Sequence, residues 1–193
     1  MRIALTGTPG TGKTAVARHL RRSGLVVVDL NKLAFEEGLI GSYDRRRRTR
    51  EVDLKGLRRR IDRLHPEKGI LFLEGHYAHL LPVDRAVVLR CAPVTLRRRL
   101  SRRGYPTSKV RENSLAEALD EITIEAVGKL GRSRVYEIDT TKAGARKIAT
   151  IVRRLVRSGF RRAKKYRPGR MDFSDDIVRN PDYYTHSESD KVR

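Results

Sequence analysis

The chain has one cysteine, no tryptophan and four phenylalanines in 193 residues. Cys91 alone can form neither an internal disulfide nor a cysteine-ligated zinc site, which fits a reducing, intracellular setting. No apolar run approaches the roughly 20 residues that cross a bilayer. Met1 leads directly into Arg2-Ile3-Ala4-Leu5 without a signal-peptide layout, so the expectation is a cytoplasmic protein with no membrane partner. Acidic side chains are also scarce, 23 Asp and Glu against 44 Lys and Arg, for a formal charge of +21. The shortage is local: residues 153–170 hold nine basic side chains and no acidic one, while residues 171–193 have a net charge of −3. Such a field attracts polyanions, nucleic acid first, with a strong dependence on salt. A solubilising surface is the plainer alternative, but solubility alone does not require so much self-repulsion.

What is plentiful is aliphatic. Hydrophobic residues make up 38 % of the chain, enough for one packed core. Short apolar runs at residues 3–6, 25–29, 70–73, 86–89 and 134–138 read as strands. Helical spacing fills residues 13–22, 54–64, 94–103, 112–130 and 143–157. Strands alternating with helices predict an α/β fold of three layers, a five-stranded parallel sheet with helices on both faces. After residue 157 the periodicity fades, and residues 158–193 are expected to form a flexible tail, basic and then polar.

The most specific signal is Gly7-Thr8-Pro9-Gly10-Thr11-Gly12-Lys13-Thr14, which fits G-x-x-x-x-G-K-[ST] between a buried strand and a helix. Glycines let backbone N–H groups converge on phosphate oxygens, and the helix N-terminus adds positive potential. Lys13 is expected on the β- and γ-phosphates of a nucleoside triphosphate, with the Thr14 hydroxyl on Mg²⁺. Glu74-Gly75-His76-Tyr77-Ala78-His79 closes the third strand, where Glu74 is the candidate for a water-mediated Mg²⁺ contact. His76 is expected to orient a water or to touch phosphate, and His79 to be a packing or surface imidazole. In Arg97-Arg98-Arg99-Leu100-Ser101-Arg102-Arg103-Gly104-Tyr105, helical spacing puts Arg99 and Arg103 on one face as nucleotide contacts. Arg97 and Arg98 are expected to face solvent or RNA, and Gly104 with Pro106 to form a short lid turn.

The loop 7–14, the Glu74-x-His76 motif, Arg103-Gly104-Tyr105 and the run Glu112-Asn113-Ser114-Leu115-Ala116-Glu117-Ala118 together resemble the adenylate kinase isoenzyme 6 family over residues 1–157. The resemblance implies a P-loop nucleoside monophosphate (NMP) kinase fold with a weak, broad-specificity kinase activity and an ATPase activity, AMP being the expected acceptor. It further implies a role in late maturation of the small ribosomal subunit, through ATP-controlled binding of ribosomal protein uS11 beside small-subunit rRNA. Carried over by position, Gly10, Gly12, Lys13, Thr14 and Ala15 hold the phosphates, and Arg103, within a lid of residues 102–112, contacts ATP. Lys142 lies near the base, residues 29–52 receive the monophosphate, and His76 matches the family's acidic-x-His histidine. Two departures stand out. Glu74 replaces the Asp of many members, and the D-G-F-P-R motif of ordinary adenylate kinases is absent. The Arg45–Arg48 run either substitutes for its arginine or faces RNA. An RNA-binding assembly ATPase without significant kinase activity is the alternative reading.

Overall fold

A computed structural model of the chain describes residues 1–44, 49–64 and 69–185, with side chains of residues 42–44, 49 and 50 left aside. Five parallel strands form the central sheet: β1 (Arg2–Thr6), β2 (Val26–Asp29), β5 (Leu71–Glu74), β6 (Arg85–Arg90) and β7 (Val135–Asp139), in the order β2-β5-β1-β6-β7. Between β2 and β5 the chain adds α2 (Leu30–Glu36), an antiparallel hairpin of β3 (Ile40–Asp44) and β4 (Thr49–Val52), and α3 (Leu54–Asp62). The sheet and its position in the sequence match expectation; α2 and the hairpin lie in a stretch whose charge hides any periodicity. The Arg45–Arg48 expectation falls outside the described residues.

Alternation along each strand builds two cores. Ile3, Leu5, Phe72, Val87 and Leu89 face α1 (Lys13–Arg22) and α7 (Ala145–Arg157), whose Val16, Leu20, Ile148 and Val152 are buried against them. Ala4, Leu71, Leu73, Ala86 and Val88 face the other way, toward Leu30 and Ala34 of α2, Leu57 and Ile61 of α3, and Ala126 and Leu130 of α6 (Glu121–Leu130). α4 (Pro93–Ser101) and α5 (Thr107–Ala118) meet in a small third cluster of Cys91, Leu96, Leu100 and Val110.

Three sequence expectations change. The helix predicted over 112–130 is two helices, α5 and α6, separated at Asp120, which takes the left-handed conformation (φ 57°). Apolar spacing runs on across the break, so pattern alone could not see it. The helix predicted over 94–103 ends at Ser101, so Arg103 stands in the following turn and does not share a helix face with Arg99. Finally, the described part of the segment after residue 157 lies against the domain. Gly159 and Phe160 both turn left-handed (φ 58° and 63°), folding Phe160 back over the start of the sheet. There Phe160 is 4 % exposed, stacks on Tyr136 at 4.6 Å and receives the Arg85 guanidinium at 5.0 Å. Further on, the short helices α8 (Asp175–Arg179) and α9 (Pro181–Thr185) meet α4, where Arg97 holds Asp176 at 2.7 Å and packs over the Tyr183 ring. Arg97 is therefore a structural anchor rather than a solvent-facing or RNA-facing charge.

Phe160→Ala tests whether this segment belongs to the packed unit. Truncation of a buried Phe costs roughly 3–5 kcal/mol, so urea unfolding should show a loss of that order; a loss near zero would place residue 160 outside the cooperative core.

Candidate functional site

Strand order decides where the site lies. The chain leaves β1 toward β2 on one side and returns across β1 from β5 to β6 on the other. In open α/β sheets the crevice at such a reversal, at the carboxyl ends of the strands, is where ligands bind. Here that crevice receives residues 7–14, Glu74 at the end of β5 and Arg90 at the end of β6.

The loop is shaped by its glycines. Gly7 (φ 137°) leaves no room for a side chain, because a Cβ would run into the Leu89 carbonyl oxygen, and at Gly10 (φ 92°) a Cβ would press on Leu96 Cδ1 at 2.8 Å. Gly12 (φ 99°) is the left-handed residue that starts α1 and turns the helix N-terminus toward the crevice. Lys13 is buried, and its ammonium donates to the carbonyls of Gly7 at 2.7 Å and Thr8 at 3.1 Å. Burial lowers its pKa to about 8 against the support of Glu74 and Glu117, with Arg103 pressing the same way as burial. The Thr14 hydroxyl donates to Glu74 Oε1 at 3.2 Å. Asp29 lies beside Glu74 in the sheet register. Burial first, then the Asp29 charge, raises the Glu74 pKa, while Lys13 and Thr14 hold it down.

A hydroxyl facing a carboxylate, with a second carboxylate nearby, is a hard oxygen donor set that fits Mg²⁺ completed by phosphate oxygens and water. Among the described residues no cluster of three or more His, Cys, Asp or Glu could hold a metal by itself.

The expected residues converge. A cavity of about 280 Å³ is lined by Gly10, Gly12, Lys13, Thr14, Ala15, Glu74, His76 and Arg103, with Asn31 and Tyr105 added. It adjoins a cleft of about 1030 Å³ that shares Pro9, His76, Arg103 and Tyr105. His76 is open to this space, and its ring meets Tyr77 edge-on at 4.7 Å. Local crowding, then the charges of Lys13 and His79, push its pKa down toward about 4. Solvent on the open side works against the first of these; the direction of the shift favours the neutral ring at pH 7. His79 is buried in the core as a packing imidazole, with Nδ1 3.1 Å from Thr6 Oγ1 and Nε2 2.9 Å from Glu125 Oε2.

Two expected contacts stand apart from these cavities. Arg99 donates to the Thr140 and Thr141 carbonyls at 2.6 and 3.3 Å, so it braces the turn after β7. The Thr140 hydroxyl in turn lies 2.9 Å from the Thr11 carbonyl, so this turn backs the phosphate loop. Lys142 is exposed in the same connection.

A feature the sequence did not assign supports the loop from behind. Arg90 is 1 % exposed and contacts three carboxylates: Glu117 at 2.8 Å, Asp120 and Glu137. Glu117 also accepts from the Thr8 hydroxyl at 2.5 Å and the Cys91 amide at 2.9 Å. A buried carboxylate thereby ties the phosphate loop to α5 and β6. Glu137 also accepts from Thr123 at 2.8 Å and from the Gly169 amide at 2.9 Å. The left-handed Asp120 that breaks the helix is the residue that brings a carboxylate to Arg90.

Comparison with known proteins agrees with this geometry. A family model described as "AAA domain" matches residues 3–120. The chain is 41 % identical over 177 residues to an Archaeoglobus fulgidus protein named "Putative adenylate kinase", covering 92 % of this chain and 94 % of that one. A Natronomonas pharaonis protein of the same name is 43 % identical over 156 residues, 81 % of this chain and 90 % of its own. The chain belongs to this adenylate kinase family. A solved structure of shikimate kinase from Acinetobacter baumannii in complex with shikimate matches with a TM-score of 0.54 at 20 % identity, covering 82 % of this kinase and 93 % of that chain. At that identity the match speaks for the shared P-loop kinase fold alone. No described helix of the kinase is long and apolar enough to cross a membrane.

Glu74→Gln gives a pH test of the acidic pair. A carboxyl whose folded pKa is raised makes folding less favourable as pH climbs through its unfolded value of about 4.5 toward its folded value. Relative to the parent, the amide variant should therefore gain melting temperature from pH 4 to pH 7. A gap that stays constant with pH would overturn this account of Glu74.

Proposed function

We propose that this kinase transfers the γ-phosphoryl group of ATP to a nucleoside monophosphate, AMP being the expected acceptor, and hydrolyses ATP when no acceptor is bound. The observation that carries the reading is the convergence of Lys13, Thr14, Glu74, His76 and Arg103 on one cavity at the sheet's reversal point. Loop amides and Lys13 hold the β- and γ-phosphates, and Arg103, on the lid turn, offsets charge on the phosphoryl group in transfer. Thr14 and Glu74 would hold Mg²⁺, which screens phosphate charge when bound. The residues 29–52 flank the cavity through Asn31 and are the proposed monophosphate segment; residues 102–112 are the proposed lid. Arg99, from α4, and Lys142, in the connection after β7 that Arg99 braces, are proposed to act on the nucleotide, Lys142 near the base. No covalent enzyme intermediate is needed, since in-line transfer relies on positioning and charge neutralisation. In hydrolysis the neutral His76 imidazole orients water.

The finer part of the proposal follows the isoenzyme 6 resemblance. The kinase acts in the cytoplasm in late small-subunit maturation, binding uS11 next to rRNA and releasing it on hydrolysis. A basic assembly ATPase without kinase turnover remains the second reading, favoured by the absent D-G-F-P-R motif.

A coupled assay separates them: ADP formation that rises strongly with AMP supports the kinase, and hydrolysis indifferent to AMP supports the assembly switch. Lys13→Ala should abolish both, while His76→Ala should lower hydrolysis at least tenfold and leave ATP affinity within about twofold, as expected for a positioning group. Co-purification with uS11 should be stronger in non-hydrolysable ATP analogue than in ADP; equal recovery would overturn the release model.

A further inference from the structure

The nine basic residues of 153–170 are not scattered by the fold. α7 runs back from the end of β7, so its C-terminal end lies at the edge of the sheet opposite the phosphate loop. The left-handed pair Gly159–Phe160 then doubles the chain back, and Phe160 and Ala163, 4 % and 1 % exposed, plug it into the core. These anchors hold Arg161, Arg162 and Lys165 against Arg154 and Arg157 around a cavity of about 690 Å³, whose lining includes no acidic residue. Arg153, Arg154, Arg157, Arg161, Arg162 and Lys164 are exposed, and the side chain of none of them makes an ion pair, hydrogen bond or ring contact among the described residues.

Unpaired like charges three and four residues apart on a helix destabilise it, and a surface built for solubility intersperses both signs. A rigid scaffold that gathers such charges calls for a polyanion. Guanidinium groups dominate the cluster, and they match phosphate oxygens in paired hydrogen bonds. None of the large exposed apolar side chains lies within residues 151–170, which argues against insertion into a lipid surface. The surface is concave, with half-buried Tyr166 in its lining and Lys165 over that ring at 5.0 Å. A single strand can enter such a hollow and place a base on the ring, whereas the outer face of a duplex cannot.

We propose that this surface is a second binding site, distinct from the nucleotide cavity, for the phosphate backbone of a single-stranded polynucleotide. It does not rest on the catalytic reading, since neither ATP nor any residue of the cradle takes part.

The test is fluorescence anisotropy of the full chain with a labelled 16-nucleotide oligo(U) across a salt series. In Arg154→Gln/Arg157→Gln/Arg161→Gln/Arg162→Gln the slope of log affinity against log salt should fall by about 3, at roughly 0.7 for each phosphate no longer neutralised, with affinity at least tenfold weaker. A charge-matched control, Lys32→Gln/Lys55→Gln/Arg58→Gln/Arg59→Gln, alters exposed basic residues of α2 and α3, on the other face of the sheet, and should weaken binding less than threefold. The double variant Arg161→Gln/Arg162→Gln, outside α7, should show about half the slope change and keeps the test readable if the helix substitutions unsettle the fold. An equal weakening in the control, or a 16-base-pair DNA duplex bound as tightly as the single strand, would overturn the proposal.

Discussion

A buried ammonium governs the architecture of this kinase. Lys13 sits at the first turn of α1, where the helix dipole is itself positive, and burial makes its charge costly. It is sustained by the carbonyls of Gly7 and Thr8 and by the fields of Glu74 and Glu117. Each of those carboxylates is delivered by a different element, β5 and α5, so the charge balance of one side chain requires the sheet order and the helices beyond it. The same balance suits the proposed phosphate contact: a cation already desolvated gains more from an incoming anion than one that must shed water.

Behind the loop, Arg90 does for the scaffold what Lys13 does for the ligand. Its guanidinium satisfies carboxylates from α5, from the break before α6 and from β7, and Glu137 reaches on to the Gly169 amide. Buried ionic groups of this kind add little net stability over an apolar core, but leaving any member unpaired is costly. Their role here is register: they fix where α5 ends, where α6 begins and how the segment near residue 169 approaches the sheet. Because Glu117 also holds Thr8, the phosphate loop is positioned by a network that reaches to Gly169.

Charge is also divided by place. At the carboxyl edge of the sheet, cations and carboxylates interleave closely enough to fix one another. Around the end of α7, the side chains of Arg154, Arg157, Arg161 and Arg162 have no partner among the described residues. The first arrangement suits a small ligand whose geometry must be held; the second suits a long anion whose contacts are many and individually weak.

The strands, the glycine loop and the residues around it were legible in the linear chain because each rests on local chemistry. Short continuous apolar runs, glycines at strained backbone positions, and a lysine and threonine at set spacing carry their meaning within a few residues. Glu74 and His76 could be assigned because a strand end is itself a local signal. Arg99 and Arg103 could not be separated, since both fit a helix face until the helix is seen to stop at Ser101. Glu117, Arg90 and Asp120 were invisible as a group: they lie up to 30 residues apart, and a buried carboxylate reads like a surface one until its partner is placed. The segment after residue 157 looked unstructured because its anchors, Phe160 and Ala163, follow no period and find their places only on a finished core. Sequence alone thus determined the strands of the central sheet and the glycine loop with its lysine and threonine, which short-range sterics and patterning dictate. The tertiary structure alone decided which charges pair, because pairing depends on distances that folding creates between remote parts of the chain.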